Sequence, residues 1–199
     1  VFGLVTAICR AAPTLGEAID CFVKYLPVVH SPVSDLEFVL GAEICELRFG
    51  GNSMVRDVDS SQIMYEASLL IMKLLREVGG SAFRPSYVTL DNAVRQSDIP
   101  EIERRFGCPW RKGNGFNAIG FPVRLLNLPV ASSSRQLFQL LQGYLERLHQ
   151  SSRLSMIERL EDCVRSSFQT GNCSAEWCAN KLGMTARTLR MRLAQMNLK

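Results

Sequence analysis

The chain has 199 residues, of which 47% are hydrophobic and 21% charged, and a formal net charge of +4. This is globular composition, enough for one sizeable core or two smaller ones, and no stretch reaches the roughly 18 uncharged apolar residues that a membrane span requires. Seven cysteines without a CxxC pair and two distant histidines, His30 and His149, argue against a disulfide framework and a zinc site, so a reduced, cytoplasmic protein without metal or cofactor is expected.

Residues 1–9, VFGLVTAIC, are apolar but too short to span, and they lack the basic start and cleavage pattern of a signal peptide. With no initiator Met, Val1 is expected to be an internal position of a longer protein. TLGEAIDCFVKYL (14–26) predicts a helix. Thr14 is its N-cap, Glu17 completes a capping box, and Leu15, Ala18, Ile19, Phe22, Val23 and Leu26 recur at helical spacing. Pro27 and Pro32 are expected to break the chain.

Residues 33–50 predict a hairpin bent at Gly41 and closed by Gly50 and Gly51, with Leu36, Phe38 and Leu40 on one face and Ile44 joining them. Residues 58–78 predict a long helix striped by Ile63, Ala67, Leu70, Ile71, Leu74, Leu75 and Val78, and Gly79-Gly80 ends it. A strand is expected at 86–92, a short helix at 99–107 and a strand at 114–122. Alternating elements with short connections predict one α+β domain over residues 1–130.

SRQLFQLLQGYLERLHQ (134–150) places Leu137, Leu141, Tyr144 and Leu148 at spacing 4-3-4, with Leu140 and Leu145 beside them. Two readings stay open for this linker segment (131–151): a helix packed on its own domain, or a dimerisation seam of Leu137, Leu141, Tyr144, Leu145 and Leu148. RLSMIERLEDCVRSSF (153–168) predicts a separate amphipathic helix, and Thr170-Gly171-Asn172 a turn. SAEWCANKL (174–182) follows as a short helix capped by Ser174, and Thr185 caps a last helix over 186–197.

The charge is unevenly placed. Residues 1–150 hold fifteen Lys or Arg against fifteen Asp or Glu, whereas Lys181–Lys199 holds five bases and no acid. Ala179 and Gly183 are four apart, as a helix-turn-helix needs at its crossing and its turn. Leu189 and Leu193 make the inner face of the last helix, leaving Thr185, Arg187, Thr188, Arg190, Met191 and Arg192 to the outer one. Such a face suits the major groove. Arg187 and Arg190 are expected at base edges, because Arg is a bidentate partner for guanine, and Thr185, Thr188 and Arg192 at phosphates.

GMTARTLRMRL (183–193) resembles the first helix-turn-helix of AraC/XylS-type bacterial transcription regulators, in Gly183, Thr185, Arg187 and Leu189. Upstream, RRFGCPW with Asn117, and the segments around it, resemble the arabinose-binding-type effector domain of one branch of that family. The resemblance implies an α+β sensor domain (1–130), a linker (131–151) and part of an all-helical DNA-binding domain (152–199). It also implies promoter DNA as partner, a homodimer, and a small-molecule effector or regulatory protein, with binding expected to shift how the protomers pair. The family carries two helix-turn-helix units and this chain stops after the first, so a cloned or proteolytic fragment with poor DNA affinity is expected.

An effector pocket would be apolar with a few polar anchors. Tyr87, Trp110 and Phe116 are candidate lining, with Phe83 also considered, and Arg84 or Arg111 would anchor an acidic effector; core packing is the competing reading for each aromatic. No Ser/His/Asp set, phosphate loop or metal cluster is apparent, and Glu101 and Glu103 point in different directions on a helix, so the chain is not expected to be an enzyme. The alternative function is a protein-interaction or dimerisation module that does not read DNA directly.

Overall fold

The computed structural model describes residues 3–29, 36–50, 60–91, 94–170, 174–196 and 198. Its first helix, α1 (Gly3–Ala11), was not predicted. Val5, Ile8 and Cys9 are buried along one side of it, a spacing of three and one that a nine-residue helix can hold only when packed. Helix α2 (Leu15–Val29) starts as expected: the Glu17 amide donates to Thr14 Oγ1 at 3.3 Å, and Thr14 Oγ1 donates back to Glu17 Oε2 at 3.0 Å. Pro27 does not end it. A proline in the last turn loses a single intrahelical bond, and the buried face of Ile19, Phe22 and Tyr25 outweighs that loss. Pro32 lies outside the described residues.

Strands β1 (Leu36–Val39) and β2 (Ile44–Phe49) form the expected hairpin. The register opposes Leu36 to Phe49 and Phe38 to Leu47. Leu36, Phe38, Cys45, Leu47 and Phe49 therefore share the inner face, whereas Ile44 falls on the outer one and Leu40, outside the strand, is 64% exposed. Both differ from the expectation, because a one-residue shift in the turn exchanges the faces of the second strand.

Helix α3 (Ser60–Gly79) buries Ile71, Leu74, Leu75 and Val78, together with Met72 and Ser68. Ile63, expected in the stripe, is exposed near its start. Strand β3 (Tyr87–Leu90) and helix α4 (Ile99–Phe106) follow. Gly107 ends α4 at φ 61°, where its amide donates to the Glu103 carbonyl. Strand β4 (Trp110–Lys112) was not expected; β5 (Asn117–Pro122) was.

The five strands form one mixed sheet ordered β1-β2-β5-β3-β4, antiparallel except for the β3/β4 pair. Cys45, Leu47, Val88, Leu90, Ile119 and Phe121 line its inner face and are all buried. They share one core with α2 and α3, and α1 packs behind these helices. The chain then returns to its start: the Leu15 amide donates to the Leu128 carbonyl, and the Ser134 amide to the Ala11 carbonyl.

That return launches α5 (Arg135–Thr170), one helix of 36 residues where two were expected. It is about 54 Å long. The residues between the two expected helices, Ser151 and Ser152, are neither Gly nor Pro, and the helix runs through them. Its first half closes this core with Leu141 (7% exposed) and Leu145 (0%). Glu146 holds it to α2, accepting from Lys24 Nζ at 2.7 Å and Tyr25 Oη at 3.0 Å. Two of the five expected seam residues are therefore core, and Leu148 is half-buried against it. Leu137 and Tyr144 stay exposed, with Leu140 between them.

The second half of α5 supplies Met156, Leu160 and Val164 to a separate core completed by α6 (Ala175–Lys181) and α7 (Ala186–Gln195). The predicted turn at 170–172 differs at Thr170, which is helical; residues 171 and 172 lie outside the described residues. No helix among the described residues is long and apolar enough to cross a membrane.

Candidate nucleic-acid interface

Helices α6 and α7 are set by local signals. The Trp177 amide donates to Ser174 Oγ at 3.1 Å at the start of α6, and the Thr188 amide donates to Thr185 Oγ1 at 3.1 Å at the start of α7. Each cap satisfies one of the donors that a helix start leaves orphaned. Gly183 takes φ 71° between the helices, a conformation that costs a residue with a Cβ. Ala179, 1% exposed, lies in the crossing, and its carbonyl accepts from the Met184 amide at 2.9 Å. Leu182, Met184 and Leu189 close the core beneath.

This frame sorts the six residues expected at DNA. Arg187 and Arg190 are exposed on the outer side of α7. Arg190 Nη2 sits 3.2 Å from Glu176 Oε1, with both side chains about two-thirds exposed, so the pair is worth little. Thr188 is a correction: it is 0% exposed, and its hydroxyl lies 2.7 Å from that of Thr185. As placed, it braces the cap and cannot meet a phosphate. Thr185 is half-buried with its oxygen engaged in the cap. Met191 and Arg192 are half-buried on a different flank, where Arg192 Nη1 lies 3.8 Å from Met156 Sδ. Lys181, which the sequence reading did not single out, is exposed and lies over the Trp177 ring at 5.6 Å.

The cap carries a testable consequence. Thr185→Ala removes the acceptor of the Thr188 amide and the hydroxyl that lies beside that of Thr188. The second core should lose about 1 kcal/mol, up to about 2, and Thr185→Ser should restore it. Thermal unfolding followed by Trp177 fluorescence in a Trp110→Phe background measures both, and an unchanged midpoint for the alanine variant would remove the cap from the account.

Of the four residues expected at an effector, Tyr87 and Phe116 lie together, and Trp110 is on the opposite face of the sheet. Arg84 Nη1 donates to the carbonyls of Ser81 and Phe83. Trp110 is half-buried against the core beneath the sheet. Tyr87 and Phe116 belong to a layered cluster on the outer face of the sheet. There Tyr87 Oη donates to Glu46 Oε1 at 2.7 Å, and its ring lies over Gly120, where a Cβ would overlap it. Arg111 stacks on the Tyr87 ring at 3.5 Å, and Arg48 on Phe116 at 4.7 Å. Burial acts to raise the Glu46 carboxyl, but hydrogen bonds from Tyr87 and Arg48 and the nearby arginine charges outweigh it and hold Glu46 below its ordinary value. Burial and that same carboxylate push the Tyr87 hydroxyl up to about 12, so Tyr87 stays a neutral donor.

Residues 1–130 match the family described as the arabinose-binding domain of AraC transcription regulators, N-terminal. Over 200 aligned residues the chain is 28% identical to the HTH-type transcriptional regulator VirS of Mycobacterium tuberculosis, and the match takes in all of this chain and 58% of VirS. In fold it is similar to a crystal structure of the transcriptional regulator CdpR from Pseudomonas aeruginosa. That likeness has a TM-score of 0.59 at 19% identity and covers all of this chain and 64% of CdpR. The chain thus spans about three-fifths of the length of these relatives.

Proposed function

The chain belongs to the AraC-type transcription regulators with an arabinose-binding N-terminal domain, and on that premise we propose that it senses a ligand or partner and reads promoter DNA with α7. The observation that carries this reading is the α6–α7 unit. Two capped helices meet at Ala179 across the Gly183 turn, and Arg187 and Arg190 face outward from the second. This is a helix-turn-helix arrangement, whose second helix enters the major groove. Arg187 and Arg190 take base edges, and the exposed Lys181 takes a phosphate.

Residues 1–130 serve as the sensor and 131–151 as the linker; 152–199 begin the DNA-reading domain. The protein works in the cytoplasm, as a regulator and not an enzyme. It pairs as a homodimer through the outer side of α5, where Leu137, Leu140 and Tyr144 recur at spacing 3-4 and are 46%, 68% and 43% exposed. Solvent-facing apolar residues in helical register mark an interaction surface, so pairing and DNA reading use different parts of the chain.

Anisotropy of a labelled promoter duplex, measured with the whole protein over a salt series, tests the reading. The logarithm of affinity should fall linearly with the logarithm of salt concentration, at about 0.9 per phosphate neutralised, and Lys181→Ala should flatten the slope by about one contact. Affinity equal to that for a scrambled duplex at every salt concentration would overturn DNA reading and leave the interaction-module alternative.

A further inference from the structure

Helix α5 holds a single glycine, Gly143, well inside its first half. Glycine weakens a helix interior relative to alanine. It is the residue of choice where the backbone needs a positive φ or another body comes close. Neither reason exists within this chain. Gly143 is helical and exposed, and a Cβ added there would meet open space. Gly120 shows the contrast, since the Tyr87 ring occupies the place of its missing side chain.

At ~100° per residue, Gly143 lies on the side of α5 opposite the buried pair Leu141 and Leu145. It stands about 60° from Leu140, which at 68% is the most exposed large hydrophobic among the described residues. A projecting side chain and a notch thus share one face, about 4.5 Å apart along the helix. Two copies of this face complete each other when the helices run antiparallel about a two-fold axis midway between the two positions. Leu140 of each copy then stands level with the partner's Gly143. The same axis brings Leu137 to within about 3 Å, along the helix, of the partner's Tyr144, on one flank of the contact. All three exposed apolar residues of this face are then covered. A parallel pair sets Leu140 against its own copy, leaves the notch unfilled, and puts Leu137 and Tyr144 on opposite flanks.

We propose that α5 pairs antiparallel with α5 of a second copy, each Leu140 seated over the partner's Gly143. This contact rests on α5 being the helix through which the protein pairs. It is isologous and closes at two chains. Because α5 runs unbroken to Thr170, the crossing also carries the second core of each copy away from the axis. Met156, where that core begins, is about 22 Å along the helix from it, so the two α6–α7 units stand at opposite ends of the pair.

Sedimentation and disulfide linking of the whole protein test the contact. Gly143→Leu should weaken the dimer about a hundredfold, because an overpacked contact costs about tenfold and the two-fold axis repeats it. Circular dichroism should show the helix unchanged. Gly143→Ala, placed in the Leu140→Asp, Tyr144→Asp chain, should raise the melting temperature by about 2–4 °C. A lowered melting temperature would give the glycine a task inside its own chain and overturn the contact. Leu140→Cys chains mixed with Gly143→Cys chains and oxidised with diamide should link to one another at these two positions. Neither should link to its own kind, because identical positions in an antiparallel pair lie further apart than a disulfide spans. A mixture that fails to link, or Leu140→Cys linking to itself, overturns the antiparallel arrangement. A dimer that ignores Gly143→Leu yet separates on Leu140→Asp with Tyr144→Asp keeps α5 as the pairing helix and overturns the contact at Gly143. A dimer that survives both sets of changes overturns pairing through α5 itself.

Discussion

Leu145→Asp should unfold the sensor domain instead of dissociating a dimer. Leu145 is 0% exposed, in one core with α1, α2 and the sheet. The substitution removes a buried aliphatic side chain, worth about 2–5 kcal/mol by itself, and asks the same space to hold a carboxylate with no partner, which adds several more. Domains are stable by only about 5–15 kcal/mol, so little of the folded state survives. Leu141→Asp should behave alike at 7% exposure. Leu140→Asp with Tyr144→Asp is the contrast: both side chains face solvent, so the fold should persist while the dimer separates. Circular dichroism with sedimentation decides it. A folded monomer from Leu145→Asp would return that residue to the seam. A dimer surviving Leu140→Asp with Tyr144→Asp would move the pairing surface away from the outer side of α5.

What the sequence disclosed follows the reach of the forces involved. The caps at Thr14, Ser174 and Thr185 and the helix end at Gly107 are contacts between residues three or four apart, so spacing alone located them. Strand β4 is three residues long and exists by pairing with β3, some twenty positions earlier; nothing local announces it. Helix α1 likewise depends on α2 and α5 for its buried side. The 134–150 segment shows the limit most clearly. Its apolar periodicity is real, but periodicity does not say which partner covers which stripe. The stripe through Leu141 and Leu145 faces its own domain, and the one through Leu137, Leu140 and Tyr144 remains uncovered. Thr188 was misplaced for a related reason. A hydroxyl beside an N-cap can brace the cap as well as contact a phosphate, and the hydrogen bond with Thr185 fixes which role it takes.

Removing both outward arginines should abolish sequence preference while the fold remains. A bidentate arginine–guanine contact is worth about 1–3 kcal/mol of discrimination, so Arg187→Ala with Arg190→Ala should cost between ~30-fold and ~10⁴-fold in affinity for the promoter duplex. Neither side chain supports the second core, which is built from Met156, Ala179, Leu182, Met184 and Leu189, so the melting curve should hardly move. Arg190 meets Glu176 in an exposed pair, and this supplies an internal control. If Arg190 exchanges that carboxylate for a base edge on binding, Glu176→Ala removes a competitor and should raise affinity slightly, where a purely structural bridge would lower the melting point and leave affinity alone. A scrambled duplex completes the comparison. Base readout predicts a large loss on the promoter and a small one on the scrambled sequence, whereas equal losses on both would reduce the two arginines to phosphate clamps and require sequence to be read elsewhere. Binding that survives the double substitution unchanged would leave α7 as packing alone, and the regulator would have to reach its promoter through residues other than these.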